Sequence, residues 1–202
     1  MKTKTRILGV LAVLGLFVIL AFKPLNDKKV IVIDAGHGGH DFGATLGGFE
    51  EKALVEKISK KIKALNKDEN IEIVLLRDGD HFMELSERVS IINNLKADLV
   101  VSLHVNTSKD SKKRGFEVYV SNKNEQFKEA STLKAKKLLS TISNQSLAKG
   151  EVKEAPFYIM KNSNCPAVLI ELGYLSNEND RNYITSEIGQ NELAAQILES
   201  VK

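Results

Sequence analysis

Short apolar runs typical of β-strands alternate with segments of helical periodicity from residue 30 to the end of the chain. Residues 30–33 form a β-branched run. In the next segment, Leu54, Ile58 and Ile62 recur at the spacing of one helix face. Strands that are separated by helices pair in parallel, and the helices pack on the sheet. We therefore expect an α/β fold, a single domain with a mostly parallel, twisted sheet and helices on both faces.

The other predicted elements follow the same alternation. Apolar runs predict strands at 71–76, 99–103, 116–120, 157–160 and 167–170. Periodic segments predict helices at 85–95, 124–144 and 187–201, the last with Ser186 as its N-cap. We find no internal repeat and no second-domain boundary.

Composition excludes several classes of protein. The 202 residues are 43% hydrophobic and 27% charged, which suits a packed core and excludes a disordered or fibrous chain. The single cysteine, Cys165, excludes an internal disulfide framework and a Cys-rich zinc module. The formal net charge is +3, and without Lys2, Lys4 and Arg6 the basic and acidic residues are equal in number. We therefore expect no nucleic-acid partner.

The first 22 residues have the pattern of an export signal. A basic start precedes an uninterrupted apolar run at 7–22, and a short polar linker follows at 23–28. Bulky residues end the run, which disfavours cleavage, but the run is shorter than the roughly 20 residues of a membrane-spanning helix. A cleaved signal peptide (1–22) and an uncleaved signal anchor both stay open. Either one exports the body, residues 29–202, to the periplasm or cell envelope, and the anchor would hold it at the inner membrane.

Polar residues with catalytic potential follow the predicted strands. His37 lies in a glycine-rich turn after the first strand, His104 follows the third, and Glu171 follows the 167–170 run. Glu50 and Glu51 open the first helix at the same edge of the sheet, where α/β folds bind ligands. Imidazoles and carboxylates at one crevice match a catalytic zinc site, with a further carboxylate left as a general base.

Each of these residues also has an ordinary structural explanation. The glycine-rich segment is no nucleotide loop, because Asp41 stands at the third glycine position of G-x-G-x-x-G and no Gly-Lys-Ser/Thr follows. The segment could be only a tight turn, His104 a core or surface histidine, and Glu171 a capping or hydrogen-bonded carboxylate. The coincidence of the three at strand ends is what supports the prediction.

The body resembles the zinc-dependent N-acetylmuramoyl-L-alanine amidases, a family of bacterial cell-wall hydrolases. The matching stretches, in the family's order, are VIVIDAGHGGHDFGA (30–44), EEKAL (50–54), LLRDGD (75–80), LSERVSIINN (85–94), ADLVVSLHVN (97–106) and PAVLIELGYLSN (166–177). The resemblance implies one Zn²⁺ ion held by His37, Glu51 and His104. Helix phase does not decide between Glu50 and Glu51, and only the resemblance, through the Lys that follows, selects Glu51.

The resemblance also implies the reaction. The family hydrolyses the amide bond between N-acetylmuramic acid and L-alanine in peptidoglycan with a metal-activated water, and its catalytic glutamate matches Glu171. Asn106 is expected to bind substrate or to orient a ligand loop, with a structural role equally favoured. Asp34 is expected to support a ligand imidazole or to cap its strand.

Three other functions stay open at this point. A zinc peptidase that cuts peptidoglycan stem peptides would use the same metal chemistry. A non-catalytic wall-binding module would keep the site without using it, and a two-carboxylate glycosidase would need no histidines. Residues 107–165 contain no long insertion of the kind that covers the site in some relatives, so we expect an open cleft. Whether a protein activator acts on the enzyme also stays open.

Overall fold

The computed structural model describes residues 28–142, 147, 148 and 150–202. The predicted export segment at 1–22 and all but the last residue of the predicted linker lie outside these residues. In the described part of the chain, no helix is both long and apolar enough to span a membrane.

Strands and helices alternate along most of the chain. The strands are β1 (Lys29–Ala35), β2 (Thr45–Leu46), β3 (Phe49–Glu50), β4 (Ile71–Leu75), β5 (Leu99–Asn106), β6 (Glu117–Val120), β7 (Val152–Glu154) and β8 (Ala167–Tyr174). The helices are α1 (Glu51–Leu65), α2 (Leu85–Asn94), α3 (Lys128–Thr141), α4 (Tyr158–Asn162), α5 (Glu178–Thr185) and α6 (Glu187–Val201).

Six of the described strands form one sheet, in the order β4-β1-β5-β8-β6-β7. In this order, the neighbouring strands β4, β1, β5 and β8 pair in parallel. β6 pairs antiparallel with β8 and parallel with β7. The short strands β2 and β3 form a separate hairpin. The predicted α/β fold with a mostly parallel sheet is confirmed.

The two faces of the sheet are covered unequally. One face packs against α1, α3, α5 and α6. The other face packs against α2 and α4, and its core contains Val32 and Leu169 on the strands. Further along the strands of this second face, Asp34, His104 and Glu171 line a cavity instead of a core. The carboxyl half of this face is therefore the place where polar side chains meet a ligand-sized space.

The predicted strand at 157–160 is wrong, because this segment leads into helix α4. Ile159 and Met160 are both buried, and the two residues before them are exposed. Burial in adjacent pairs is typical of one side of a helix, whereas a strand alternates at every residue. The Lys161 N–H donates to the carbonyl oxygen of Phe157 at 2.9 Å, which is the four-residue spacing of a helix.

Two strands extend further than their apolar runs. β5 continues to Asn106 and β8 to Tyr174, so that His104 and Glu171 lie within strands rather than after them. The predicted N-cap of α6 is confirmed, since the Ser186 hydroxyl accepts a hydrogen bond from the backbone N–H of Gly189 at 3.0 Å.

Candidate active site

His37, Glu51 and His104 meet at the carboxyl edge of the sheet. One ligand atom from each of the three lies within 4.8 Å of the others. The Oε1 atom of Glu51 lies 3.0 Å from His37 Nε2 and 3.0 Å from His104 Nδ1. The two imidazole rings stand edge to face, with their centroids 5.0 Å apart. The structure thus brings together the three residues that were predicted as metal ligands.

The donor set fits a zinc ion. Two imidazoles and one carboxylate are a common catalytic zinc set, which leaves a further position open for water or substrate. Glu51 is the first residue of α1 and is buried. Its Oε1 accepts a hydrogen bond from the Val105 N–H at 2.9 Å, and its Oε2 accepts one from the Ala44 N–H at 2.8 Å. The carboxylate is therefore held in place by the backbone on both sides.

In the turn that carries His37, the backbone passes close to the side chains of the other candidate ligands. His37 itself has φ +61°, a left-handed conformation that costs a residue with a Cβ about 1–3 kcal/mol. A Cβ on Gly36 would lie 2.4 Å from the His104 ring, and one on Gly43 would lie 2.5 Å from Glu51 Oε2. Glycine at these two positions leaves room for the ligand side chains.

Asp41 orients the His37 ring, a role that its position in the sequence alone did not predict. Its Oδ2 lies 2.8 Å from His37 Nδ1, and its Oδ1 accepts a hydrogen bond from the Gly43 N–H at 3.1 Å. A carboxylate on Nδ1 leaves Nε2 for a metal, which is the usual partner arrangement of a metal-ligating histidine. The available signal was a carboxylate four residues after the histidine in the same glycine-rich turn.

The charges of the cluster shift the pKa values of its members. Burial lowers the pKa of His37, but hydrogen bonds and negative charge from Glu51 and Asp41 outweigh burial and raise it to about 9. Burial raises the pKa of Glu51, and the two imidazoles outweigh it and hold that pKa well below its usual range. Ligation of a metal by His37 would therefore release a proton.

Three buried cations hold the carbonyl oxygens of the His37 turn. Arg77 donates to Ala35 and Gly36, Arg88 donates to Ala35 and His37, and Lys52 donates to Gly39. Asp80 also stabilises this turn. Its Oδ1 accepts a hydrogen bond from the Gly39 N–H at 2.7 Å, and its Oδ2 accepts one from Lys52 Nζ at 2.8 Å.

Asp34 lines the cavity, whereas Asn106 is not among its lining residues. The buried Asp34 carboxylate accepts hydrogen bonds from Arg88 Nη1 and from the Ser102 hydroxyl, both at 2.6 Å. Asp34 thus reaches the His37 turn through Arg88 and not through an imidazole. The Asn106 Oδ1 accepts a hydrogen bond from the Thr107 N–H at 2.8 Å, which caps the end of β5.

Glu171 lies beside the three candidate ligands. It is the register partner of His104 across β5 and β8, so both side chains point to the same face of the sheet. Both residues line the cavity, which has a volume of about 310 Å³. The Oε2 atom of Glu171 is buried and has no hydrogen-bond partner among the described residues. Burial raises the pKa of Glu171 to about 7, and the nearby carboxylates of Glu51 and Glu117 add to the rise.

Comparison with known proteins identifies the family. The family model for N-acetylmuramoyl-L-alanine amidase matches residues 31–202. The chain belongs to the N-acetylmuramoyl-L-alanine amidase family. The resemblance seen in the sequence is thereby confirmed, and the candidate ligands and Glu171 lie within the matched range.

Individual members of the amidase family match most of this chain. The probable cell wall amidase LytH of Staphylococcus saprophyticus is 33% identical over 184 residues, which cover 89% of this chain and 59% of that relative. An N-acetylmuramoyl-L-alanine amidase structure from Clostridium difficile 630 has 33% identity and a TM-score of 0.80, over 87% of this chain and 95% of its own. The CwlD amidase from Clostridioides difficile, solved in complex with the GerS lipoprotein, has 27% identity and a TM-score of 0.70, over 86% of this chain and 96% of its own.

Proposed function

We propose that this member of the amidase family hydrolyses the amide bond between N-acetylmuramic acid and L-alanine in peptidoglycan, with one Zn²⁺ ion held by His37, Glu51 and His104. The observation that supports the proposal is the meeting of these side chains with Glu171, whose Oε2 is buried without a hydrogen bond, at one cavity. Family membership supports the choice of substrate.

The chain's own residues would move the protons of this reaction. A zinc ion at the site supplies Lewis-acid chemistry, which polarises the scissile carbonyl, acidifies water and stabilises negative charge on oxygen. Glu171 accepts the proton of the attacking water on its carboxylate and donates it to the leaving amine of L-alanine. A pKa near 7 suits a group that both accepts and donates a proton at neutral pH. Asp41 keeps the His37 ring oriented through Nδ1.

The location of the substrate is relevant to the function of residues 1–22. Peptidoglycan lies outside the cytoplasm, and we propose that residues 1–22 carry the domain there. The basic start and the apolar run at 7–22 support this assignment. A protein activator is compatible with the proposal, since the related CwlD amidase was solved with a lipoprotein partner.

The decisive experiment is product analysis with and without metal. We expect the full chain, purified in mild detergent, to release stem peptides that begin at L-alanine from purified peptidoglycan. A chelator should stop the release and added zinc should restore it, because the two imidazoles and Glu51 hold the ion that the reaction needs. Mass spectrometry of the soluble products measures the outcome.

Other products would contradict the proposal in distinct ways. Shortened peptides that are still attached to sugar would identify a zinc peptidase. Released sugars in the presence of chelator would favour a glycosidase. No release at all from folded, zinc-loaded protein would favour a wall-binding module or an inhibited enzyme that awaits a protein partner.

A second prediction concerns the turn that carries His37. Asp80 bonds both the N–H of Gly39 and the Lys52 ammonium that holds the Gly39 carbonyl. Replacing Asp80 by Ala should loosen the turn and weaken zinc binding about tenfold, at the low end of what loss of a ligand-orienting partner costs. Competition titration with a chromophoric chelator measures the zinc affinity.

The same loop provides a matched control. Asp78 is an exposed carboxylate that pairs with Lys60 at 3.4 Å instead of with the turn. Asp78→Ala removes the same charge at nearly the same place and should leave zinc affinity unchanged. Equal affinities in the two variants would show that Asp80 does not position His37.

A further inference from the structure

Three of the five exposed phenylalanine and tyrosine side chains of the described residues line one cavity. Phenylalanine and tyrosine side chains that are at least about a third exposed occur at Phe42, Phe49, Phe82, Phe157 and Tyr158. Phe42 precedes the β2–β3 hairpin that leads into the candidate ligand Glu51, and Phe49 lies on β3. The other three line the cavity beside the candidate metal site. Clustered exposed apolar surface of this kind marks a binding site.

Three of these aromatic residues contribute to the apolar walls of the cavity, together with Met83, Leu85, Ile159, Met160 and Leu169. Phe82 lies on the segment before α2, and Phe157 and Tyr158 lie at the start of α4. The same cavity is lined by His37 and Glu171, so a ligand that touches the rings also reaches the candidate catalytic residues.

Two of the rings are held in place by neighbours. The Phe157 ring stands edge to face with Tyr119, with centroids 5.4 Å apart. The Phe82 ring lies 4.2 Å from the His40 ring at an interplanar angle of 32°. Rings that are ordered before binding lose little conformational freedom when a ligand stacks on them.

The described lining of the cavity offers no unpaired Lys or Arg that would bind a carboxylate. Among the described lining residues, the one Lys or Arg is Arg88, and its guanidinium is already paired with Asp34 at 2.6 Å. Asp41, Glu84 and Glu171 add carboxylates to the lining. The stem peptide of peptidoglycan carries carboxylates, for which this lining offers no unpaired Lys or Arg. N-acetylated sugars are neutral and present C–H faces that stack on aromatic rings.

We propose that this aromatic cavity binds the glycan strand of peptidoglycan, with Phe82, Phe157 and Tyr158 in contact with sugar rings. The inference rests on the proposed amidase function and adds that the enzyme holds its substrate by the sugar side of the scissile amide. The stem peptide beyond L-alanine extends away from the aromatic rings.

The test compares two substrates that differ only in the length of their glycan. One is a single N-acetylmuramoyl residue with its stem peptide, and the other is a tetrasaccharide that carries the same stem. With the zinc-loaded full chain, we expect Phe157→Ala and Tyr158→Ala to raise KM for the tetrasaccharide about tenfold, to raise it less for the one-sugar substrate, and to leave kcat unchanged. Tyr158→Phe keeps the ring and should restore the wild-type KM.

Leu133→Ala is the matched control, because Leu133 is a 61% exposed side chain on α3, away from the cavity. It should change neither KM. Wild-type KM values in both aromatic variants, or equal rises for the two substrates, would overturn the inference.

A binding measurement separates this inference from the proposed reaction. The probe is the tetrasaccharide without stems and with its lactyl carboxylates converted to amides, titrated calorimetrically into the Glu171→Gln protein. We expect saturable binding that is weakened about tenfold by adding Tyr158→Ala and is unaffected by adding Leu133→Ala. Absence of binding to Glu171→Gln protein would overturn the glycan site even where amidase activity is present. Binding without any activity in the wild type would leave the glycan site standing and overturn the amidase proposal.

Discussion

Replacing Glu171 by Gln is expected to reduce kcat for amide hydrolysis by about 10²–10⁴-fold, the range that general acid–base catalysis contributes. Glutamine has nearly the same size as glutamate, but it neither accepts the water proton nor passes one to the leaving amine. Zinc should stay bound, because the three candidate ligands lie together without Glu171. Steady-state kinetics with a soluble muramoyl peptide and metal analysis of the same sample measure both properties.

Two variants control this experiment. Glu117 is the cross-strand partner of Glu171, and its carboxylate already accepts hydrogen bonds from Tyr119 and Lys153. Glu117→Gln removes a neighbouring negative charge and should keep most of the activity, whereas His104→Ala should lose both zinc and activity. Loss of zinc from Glu171→Gln would instead make Glu171 a ligand or a structural residue. An equal loss of kcat in Glu117→Gln would show that local charge, not proton transfer, sets the rate.

The pattern of strands predicted which polar residues come together. His37, His104 and Glu171 follow apolar runs, and parallel pairing brings the carboxyl ends of those strands to one edge. The choice between Glu50 and Glu51 depended on where α1 begins, and periodicity alone locates a helix start only within a turn. In the structure Glu51 is the first helical residue and Glu50 is the N-cap.

The partners of these residues were harder to predict, because they depend on tertiary geometry. Asp41 contacts His37 only because the turn folds back through a left-handed residue. Arg77 and Arg88 donate to the turn from a loop after β4 and from α2, more than 40 residues away along the chain. No local spacing encodes such a contact.

The missed elements of the fold have local causes. Four consecutive apolar residues at 157–160 do not distinguish a strand from a buried helix side. α5 was not predicted because its sequence, ENDRNYIT, is mostly polar, although Asn177 caps it by accepting a hydrogen bond from the Asp180 N–H. The β2–β3 hairpin turns at Gly47 and Gly48, both with positive φ, a pair that is a recognised hairpin signal.

A large loss of stability is expected when the buried ion pair of Asp34 and Arg88 is broken. Asp34 is 0% exposed and Arg88 is 2% exposed. Asp34→Ala would leave the guanidinium buried without its carboxylate, and removing one partner of a buried ion pair costs about 3–5 kcal/mol of unfolding free energy. Urea unfolding of the full chain in detergent with excess chelator measures this free energy without a contribution from bound metal.

Two controls test whether the buried, unpaired charge causes this loss of stability. One breaks an exposed ion pair, and the other replaces both partners of the buried pair. Glu199→Ala breaks the exposed pair with Lys202 and should cost at most about 1 kcal/mol. Asp34→Leu combined with Arg88→Met removes both charges and should recover most of the stability, since apolar replacement of a buried pair is often neutral. If the unfolding free energy of Asp34→Ala lay within about 1 kcal/mol of the wild-type value, the variant would not leave Arg88 as a buried, uncompensated charge.

The double variant also separates stability from function. Arg88 donates to the carbonyl oxygens of Ala35 and His37, and methionine makes neither hydrogen bond. We therefore expect the double variant to fold with nearly wild-type stability and still bind zinc more weakly, because the strained His37 turn has lost one of its three cationic donors. Recovery of zinc affinity together with stability would mean that Arg88 serves the core alone. Weak zinc binding in a stable protein would tie the buried ion pair to the metal site.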